Sequence, residues 1–329
     1  MESTKTRILK KLLETDGYLS GQELCEQLGV SRTAVWKYMK QLKEEGYEIE
    51  AVQNKGYCLK DVPDVLGESE IKSRLHTRWA GQTLYYYDEI DSTNTQIKRL
   101  AEEDAPHGTL AVADYQSKGK GRRGRAWDSP HGSAIYMSIL FRPEIRPDRA
   151  SMLTLVIGLS VTQAIGSNLG LQAQIKWPND VVLNGKKLVG ILTEMSAQMN
   201  YIEYLVTGIG INANLREFPE ELADKATSLQ KEIGHKVNRS ALIAECMKKI
   251  EENYEIFVKT QDLSGLMAAY QEVLVNQDQQ VRVLEPGHEY TGVARGINAM
   301  GELLVEKEDG TITEVYAGEV SVRGLYGYV

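Results

Sequence analysis

Gln116-Ser117-Lys118-Gly119-Lys120-Gly121-Arg122-Arg123-Gly124-Arg125-Ala126-Trp127 gathers five cations and three glycines into twelve residues of a chain whose formal net charge is −8. Glycine permits positive φ and close backbone approach, so consecutive amides can converge on an anion. Lysine and arginine neutralise such an anion, and arginine can grip a phosphate through two parallel hydrogen bonds. The stretch reads either as a phosphate-binding loop or as a solvated basic patch, and its surroundings decide between them.

Upstream of the loop, residues 83–87 read as a strand, 92–101 as a helix and 109–115 as an apolar strand running straight into it. Downstream, residues 134–141 form a third strand pattern and 148–169 a long apolar helix. This alternation predicts an α+β or α/β domain with the loop held between strands. A Walker A loop is excluded, because no G-x-x-x-x-G-K-[ST] occurs, and a dinucleotide fingerprint would need fewer cations and a helix directly after the glycines. Three landmarks follow in order. Lys176-Trp177-Pro178-Asn179-Asp180 opens a strand pair, the hairpin tip Asn184-Gly185 leads into Lys186-Lys187-Leu188-Val189-Gly190-Ile191-Leu192, and Gly208-Ile209-Gly210-Ile211-Asn212 closes another apolar strand. Each has an ordinary structural reading when taken alone: a type I′ turn, a core aromatic beside a bend, a tight packing site.

Toward the N-terminus, Ile8, Leu12 and Leu13 recur at helical spacing until Asp16-Gly17. A second helix starts at Ser20, where Glu23 completes a capping-box pattern, and Ser31 caps a third after the turn Gly29-Val30. From Ser31 to Lys43 the only charges are Arg32, Lys37, Lys40 and Lys43. The alternation at Tyr47, Ile49 and Ala51, then Asn54-Lys55-Gly56, then Tyr57 and Leu59, reads as a hairpin with a basic tip. Helix, turn, helix and hairpin make a winged helix-turn-helix. Arg32, Thr33, Trp36, Lys37, Lys40 and Lys55 are its candidate DNA contacts, since a cationic helix without acids suits a major groove lined by phosphates. The competing reading is a three-helix protein-interaction module.

The whole chain, at 329 residues with 42% hydrophobic residues, can fill two or three cores. No apolar run reaches the roughly 18 residues of a bilayer span and no leader pattern opens the chain, so a soluble cytoplasmic protein without membrane contact is expected. Cys25, Cys58 and Cys246 stand far apart with no C-x-x-C or histidine pair, which argues against a disulfide framework or a protein-bound metal. The expected domains are residues 1–62, 66–275 and 276–329, with 61–67 as a linker around Pro63. In the last domain, Val281, Val283, Gly287, Tyr290-Thr291-Gly292-Val293-Ala294, Leu303-Leu304-Val305, Thr311-Ile312 and Val320 through Val322 read as short strands and turns of a small barrel.

Taken together, Asp91-Ser92-Thr93-Asn94, Gln116 with the basic loop, Lys176 to Asp180, Lys187 to Leu192 and Gly208 to Asn212 resemble, in content and order, the biotin protein ligases. With the winged helix in front, the chain is similar to the bifunctional class that also represses biotin operons. One departure is Lys120, where the family's best-known loop has arginine and hence a bidentate fork. The resemblance implies a multidomain α+β fold: a winged helix-turn-helix, a central α/β ligase domain of the class II synthetase-like type and an SH3-like C-terminal barrel.

It also implies a two-step reaction. Biotin's carboxylate attacks the α-phosphate of ATP to give biotinoyl-5′-adenylate and pyrophosphate, with Mg²⁺ accompanying the triphosphate. A lysine of a carboxyl-carrier protein then attacks the adenylate and releases AMP. Carried over by motif, Arg122 and Lys187 are the catalytic candidates. Ser92, Thr93, Asn94 and Gln116 would meet biotin, Lys120 and Gly121 the carboxylate and phosphate, Asn179 and Asp180 the nucleotide or metal, and Asn212 the adenylate. With the adenylate as corepressor, a homodimer would bind operator DNA. Two other functions fit the same motifs, a biotin-sensing repressor without ligase activity and a lipoate-type ligase with a fused DNA reader.

Overall fold

Three serines start the three N-terminal helices. Ser3 accepts from the amide of Thr6 to open α1 (Thr4–Glu14), Ser20 from Gln22 to open α2 (Gly21–Leu28), and Ser31 from Ala34 to open α3 (Arg32–Glu44). Each bond satisfies an amide that the helix ladder leaves over. The capping box expected at Ser20 does not form: Ser20 Oγ accepts from the Gln22 amide instead of that of Glu23, and the Glu23 carboxylate accepts from Gln27 one turn further on. Ile8, Leu9, Leu12, Leu24, Val35 and Met39 lie in one buried core. The wing is the antiparallel pair β1 (Glu48–Val52) and β2 (Gly56–Asp61), and Leu19 bridges to Tyr57 at its base. Gly56, at φ +111°, lies where a Cβ would collide with the Leu19 carbonyl, so only glycine lets the wing close onto this core.

The structure is a computed structural model that describes residues 3–198, 201–285, 288–316 and 321–324. It comprises two compact units, residues 1–76 with 237–244 and residues 77–236 with 245–329. The first unit extends past residue 62. The stretch read as a linker leads into α4 (Glu68–Lys72), and Asp64 accepts from both the amide and Nε of Arg239, each at 2.9 Å. Lys5 pairs with Glu70 at 3.0 Å and Glu45 at 2.7 Å. A partner 175 residues away in sequence leaves no local signal, which is why the segment reads as a linker.

In the second unit, β3 (Leu84–Ile90), α5 (Thr93–Glu102) and β4 (Leu110–Gln116) form a β-α-β crossover with β3 parallel to β4. β5 (Ile135–Phe141), α6 (Met152–Leu169), β6 (Gln174–Lys176), β7 (Asp180–Leu183), β8 (Lys186–Gln198) and β9 (Tyr201–Ile211) follow. The strands make one seven-stranded sheet in the order β3-β4-β5-β9-β8-β7-β6, all other neighbours being antiparallel. Asn184 and Gly185 both have positive φ, 50° and 75°, as a type I′ turn requires. Side chains alternate across the sheet. Leu140 and Val206 pack under Ile97 and Leu100 of α5, while Ile191 and Ile175 approach Gly158 of α6 on the opposite face.

α6 belongs to a helical stretch, residues 147–169, that is long and apolar enough to cross a membrane by length and composition, which corrects the sequence reading. Seventy-two per cent of its apolar 18-residue segment is buried inside the protein, so its all-round apolarity serves a core position. Then come α7 (Leu229–Ile233), α8 (Arg239–Thr260) and α9 (Met267–Glu272). β10 (Gln280–Glu285), β11 (His288–Ile297), β12 (Leu303–Glu306), β13 (Ile312–Val315) and β14 (Ser321–Gly324) form the small antiparallel C-terminal sheet, ordered β13-β12-β11-β10-β14. Gly287 and Val320 lie outside the described residues. Buried Trp177 follows β6, is joined to Pro178 by a cis peptide bond, and donates from Nε1 to the Gly301 carbonyl between β11 and β12 at 3.0 Å.

Candidate active site

β3 and β4 end side by side at Ile90 and Gln116, so the corner Asp91-Ser92-Thr93-Asn94 stands at the carboxyl end of the parallel pair, where open α/β sheets bind ligands. Ser92 occupies the cap position of α5 but makes no side-chain cap bond; its buried hydroxyl is left for other work. Asp91 holds the corner by accepting from the Ser92 amide and from Arg99, both at 2.7 Å. Gln116 Oε1 accepts from the Thr93 amide at 2.9 Å and lies 3.0 Å from the Thr93 hydroxyl. Gln116 Nε2 donates to Ser129 Oγ at 3.1 Å. Ser129 in turn donates to the Trp127 carbonyl at 2.9 Å, tying the loop's far end to this corner.

The basic loop folds back on itself. Lys120 bridges to Ala126, the Trp127 amide donates to the Gly119 carbonyl at 3.0 Å, and Arg123 and Gly124 turn the chain with φ of 57° and 72°. The Gly121 amide donates to the Arg125 carbonyl at 2.7 Å, so this amide serves the loop's own turn. Trp127 lies flat on bare strand backbone. A Cβ at Gly190 or Gly210 would stand 2.5 or 2.6 Å from its indole, and the two glycines face each other across β8 and β9. The Trp127 Nε1 is buried and unbonded, an open donor at the cavity.

The cations converge here. Lys187 Nζ is 2.7 Å from Asp180 and 5.4 Å above the Trp127 ring. Arg122 donates from Nη1 to Asn179 Oδ1 at 2.7 Å, and Asn179 is itself anchored by donating to the Ile191 carbonyl at 3.1 Å. Burial, with Arg123 beside it, holds the Arg122 pKa below its ordinary value. A cation made costly by desolvation is one that an arriving anion stabilises most.

These groups line one cavity, bordered by Ser92, Thr93, Asn94, Gln116, Lys120, Gly121, Arg122, Asn179 and Lys187 among the candidates, together with Trp127. A second hollow adjoins it, sharing Arg122 and Asn179. Asp180 stands behind Lys187. Asn212 does not line the cavity; its Nδ2 donates to the Thr227 carbonyl at 3.1 Å and its amide to Leu188 at 3.0 Å. Lys120 lines the cavity although its side chain is largely exposed. Among the described residues no cluster of three or more His, Cys, Asp or Glu could hold a metal.

Sequence reasoning passed over Trp127, Ser138 and Glu194. Trp127 ends the basic loop, and the only trace of its platform in the sequence is two glycines, Gly190 and Gly210, in apolar strands. Ser138 is the lone polar residue of Ile135–Phe141, a signal that a buried hydrogen bond was required.

In the first unit, Thr33, Trp36, Lys37 and Lys40 follow one another around α3 at helical spacing, and all four are exposed, Trp36 at 61%. Arg32 donates to Gln22 at 2.7 Å, and exposed Lys55 lies 5.5 Å over the ring of Tyr18. An indole with no core to fill, among cations, marks a contact surface.

Known proteins match all three parts of the chain. Residues 86–212 match the biotin/lipoate A/B protein ligase family, residues 4–58 an HTH domain and residues 278–323 the biotin protein ligase C-terminal domain. The bifunctional ligase/repressor BirA of Bacillus spizizenii is 40% identical over 326 residues, spanning 98% of this chain and 100% of that protein. The BirA of Escherichia coli is 32% identical, spanning 95% of each. A solved biotin protein ligase from Aquifex aeolicus in complex with biotin and ATP is similar with a TM-score of 0.65 and 35% identity, covering 74% of this chain and 99% of that one. With an HTH domain, a match to the ligase family and 40% and 32% identity over nearly the whole chain to these two ligase/repressors, the chain belongs to the family of bifunctional biotin ligase/repressors.

Proposed function

We propose that the chain is an ATP-dependent biotin protein ligase that forms biotinoyl-5′-adenylate, transfers biotin to a lysine of a carboxyl-carrier protein, and uses the adenylate as corepressor of biotin genes. One observation carries the reading. A single cavity joins a neutral hydrogen-bonding end at Thr93 and Gln116 to a cationic end at Arg122 and Lys187, a polarity that matches an acid with a ureido ring at one end and a carboxylate at the other.

Attack of an ionised carboxylate on the α-phosphate brings two anions together and needs no general base. Arg122 and Lys187 would supply the compensating charge, Arg122 from a buried position where an ion pair counts for more than in water. Trp127 and the returning loop would keep water from the mixed anhydride. Ser92, Thr93, Asn94 and Gln116 would orient the ureido ring, Lys120 and Gly121 would border the phosphate, and Asn179, Asp180 and Asn212 would lie along the nucleotide side. Mg²⁺ enters as part of the MgATP substrate. A lone carboxylate at Asp180, already paired with Lys187, suits an ion held mainly by phosphate oxygens. The acceptor lysine then attacks the acyl carbon and AMP leaves.

For repression we propose a homodimer, assembled when the adenylate is bound, that sets two α3 helices into operator DNA through Arg32, Thr33, Trp36, Lys37 and Lys40, with Lys55 on a phosphate. The reaction belongs to the cytoplasm, where carrier, ATP and operator meet. Pyrophosphate release that requires biotin, ATP and Mg²⁺ together tests the ligase reading. Biotin binding without pyrophosphate release would leave a passive sensor, and release with lipoate in place of biotin would reassign the acid.

A further inference from the structure

Beneath the neutral end of the cavity, four polar groups run in line: Gln116 Oε1, Thr93 Oγ1, Ser138 Oγ and Asn94 Oδ1, spaced 3.0, 2.7 and 2.6 Å apart. Ser138 is fully buried, and Thr93 and Asn94 nearly so. The line has three contacts and two hydroxyl protons. Its two ends are fixed as acceptors. Gln116 must turn its oxygen to the Thr93 amide. Asn94 must turn its nitrogen to Glu194 Oε2, 2.8 Å away, so its oxygen faces Ser138.

Glu194 itself can only accept. Lys98 Nζ stands 2.6 Å from its other oxygen. Burial opposes its charge, yet Lys98 and the Asn94 amide outweigh burial and hold the carboxyl below its ordinary value. Strand register completes the arrangement. Ser138 and Leu192 both lie opposite Gly208, and a Cβ at Gly208 would collide with Asn94 Oδ1, so glycine is what admits the Asn94 carboxamide beside the sheet.

We infer that Glu194 is a positioning residue for the acid substrate: its fixed charge orients the Asn94 amide, which draws the Ser138 proton inward and away from Thr93, so that the cavity-lining Thr93 hydroxyl oxygen is left to accept from a ligand N–H. The inference rests on the proposed biotin reading, because a ureido ring is the part of that ligand that carries N–H donors. Glu194 and Lys98 do not line the cavity, so they act through Asn94.

The test measures binding of free biotin to the full-length protein by calorimetry, alongside steady-state kinetics of pyrophosphate release. In Glu194→Gln the Asn94 amide is free to turn over. The expected result is a dissociation constant and a biotin KM raised roughly tenfold, the loss of about one buried hydrogen bond, with ATP KM and kcat at saturating biotin unchanged. Asn94→Asp alone sets two carboxylates face to face and also weakens binding. The double variant Asn94→Asp/Glu194→Gln restores an acceptor toward Ser138 and a donor opposite it, and binds more tightly than either single variant. Wild-type affinity in Glu194→Gln overturns the inference. So does a double variant that binds no better than either single one, with melting temperatures matched to the wild type. Failure of the wild-type protein to bind biotin overturns the underlying reading instead.

Discussion

The Lys187 ammonium rests 2.7 Å from the Asp180 carboxylate, and the two side chains come from the strands β8 and β7 on either side of a two-residue turn. A cation meant for an anionic ligand is thus held in place before the ligand arrives. The partial burial of both groups makes the pair matter more than an exposed one would. Lys187→Met should lower the rate of adenylate formation roughly 10²- to 10³-fold, the scale of a lost transition-state charge. Asp180→Asn leaves the charge but frees it, and about a tenfold loss is expected. Pyrophosphate release at saturating biotin and MgATP gives both numbers, and an Asp180→Asn rate equal to wild type would show that the pair does not set the lysine's position.

Gly210→Ala places a methyl group 2.6 Å from the Trp127 indole. The ring must lift from β8 and β9, and the accompanying overpacking costs on the order of 1–3 kcal/mol. The expected result is a shift in tryptophan fluorescence in the ligand-free protein, together with weaker biotin binding. Unchanged emission would mean that the indole does not rest on this platform in solution.

His107 predicts a pH dependence of stability. Its ring packs among Trp79, Phe141 and Tyr254 with centroids 4.4 to 5.7 Å away, and its Nδ1 accepts from the Arg142 amide at 3.0 Å. Burial, with the Arg142 charge adding to it, lowers its pKa to about 4. The unfolded chain takes up this proton near pH 6.5 and the folded protein does not. Stability is therefore complete above about pH 6.5 and falls as pH drops toward 4, by no more than about 3 kcal/mol. Melting temperatures between pH 7 and 4.5 should decline less in His107→Gln than in wild type, and equal slopes would assign the decline to other groups.

On the DNA side, Lys37→Ala should weaken operator binding across all sequences and reduce the slope of log K against log salt by about 1, as for one lost phosphate contact. Trp36→Ala removes an exposed indole that the fold does not need, so stability should hold while binding falls. Fluorescence anisotropy over a salt series reads both. A Lys37→Ala slope identical to wild type would place that lysine off the backbone.

The sequence made much of this legible because its strongest signals are local. Serine caps, the Asn184-Gly185 turn and the alternation of β3 through β5 need only neighbours a few residues away, and the ordered motifs carried the ligase family. What it hid depends on distant pairing. Asp64 looked like part of a linker because Arg239 is far along the chain. Glu194 carried no local signal, since neither Asn94 nor Lys98 is near it in sequence. Glu23 matched a capping box, yet a competing glutamine one turn away took its carboxylate. The Gly121 amide matched a phosphate cradle, and the loop's own turn uses it. Short patterns state which bonds are possible, and packing chooses among them.

The Asp64–Arg239 pair also imposes an order in time. The winged unit is the first part of the chain to be made, yet Arg239, in the segment 237–244 that it incorporates, emerges 175 residues after Asp64. At ordinary synthesis speeds of about 5–20 residues per second, that is a wait of roughly 10 to 35 seconds. During that interval Asp64 lacks its Arg239 partner, and the nascent DNA reader is complete only once the entire seven-stranded ligase sheet has been translated.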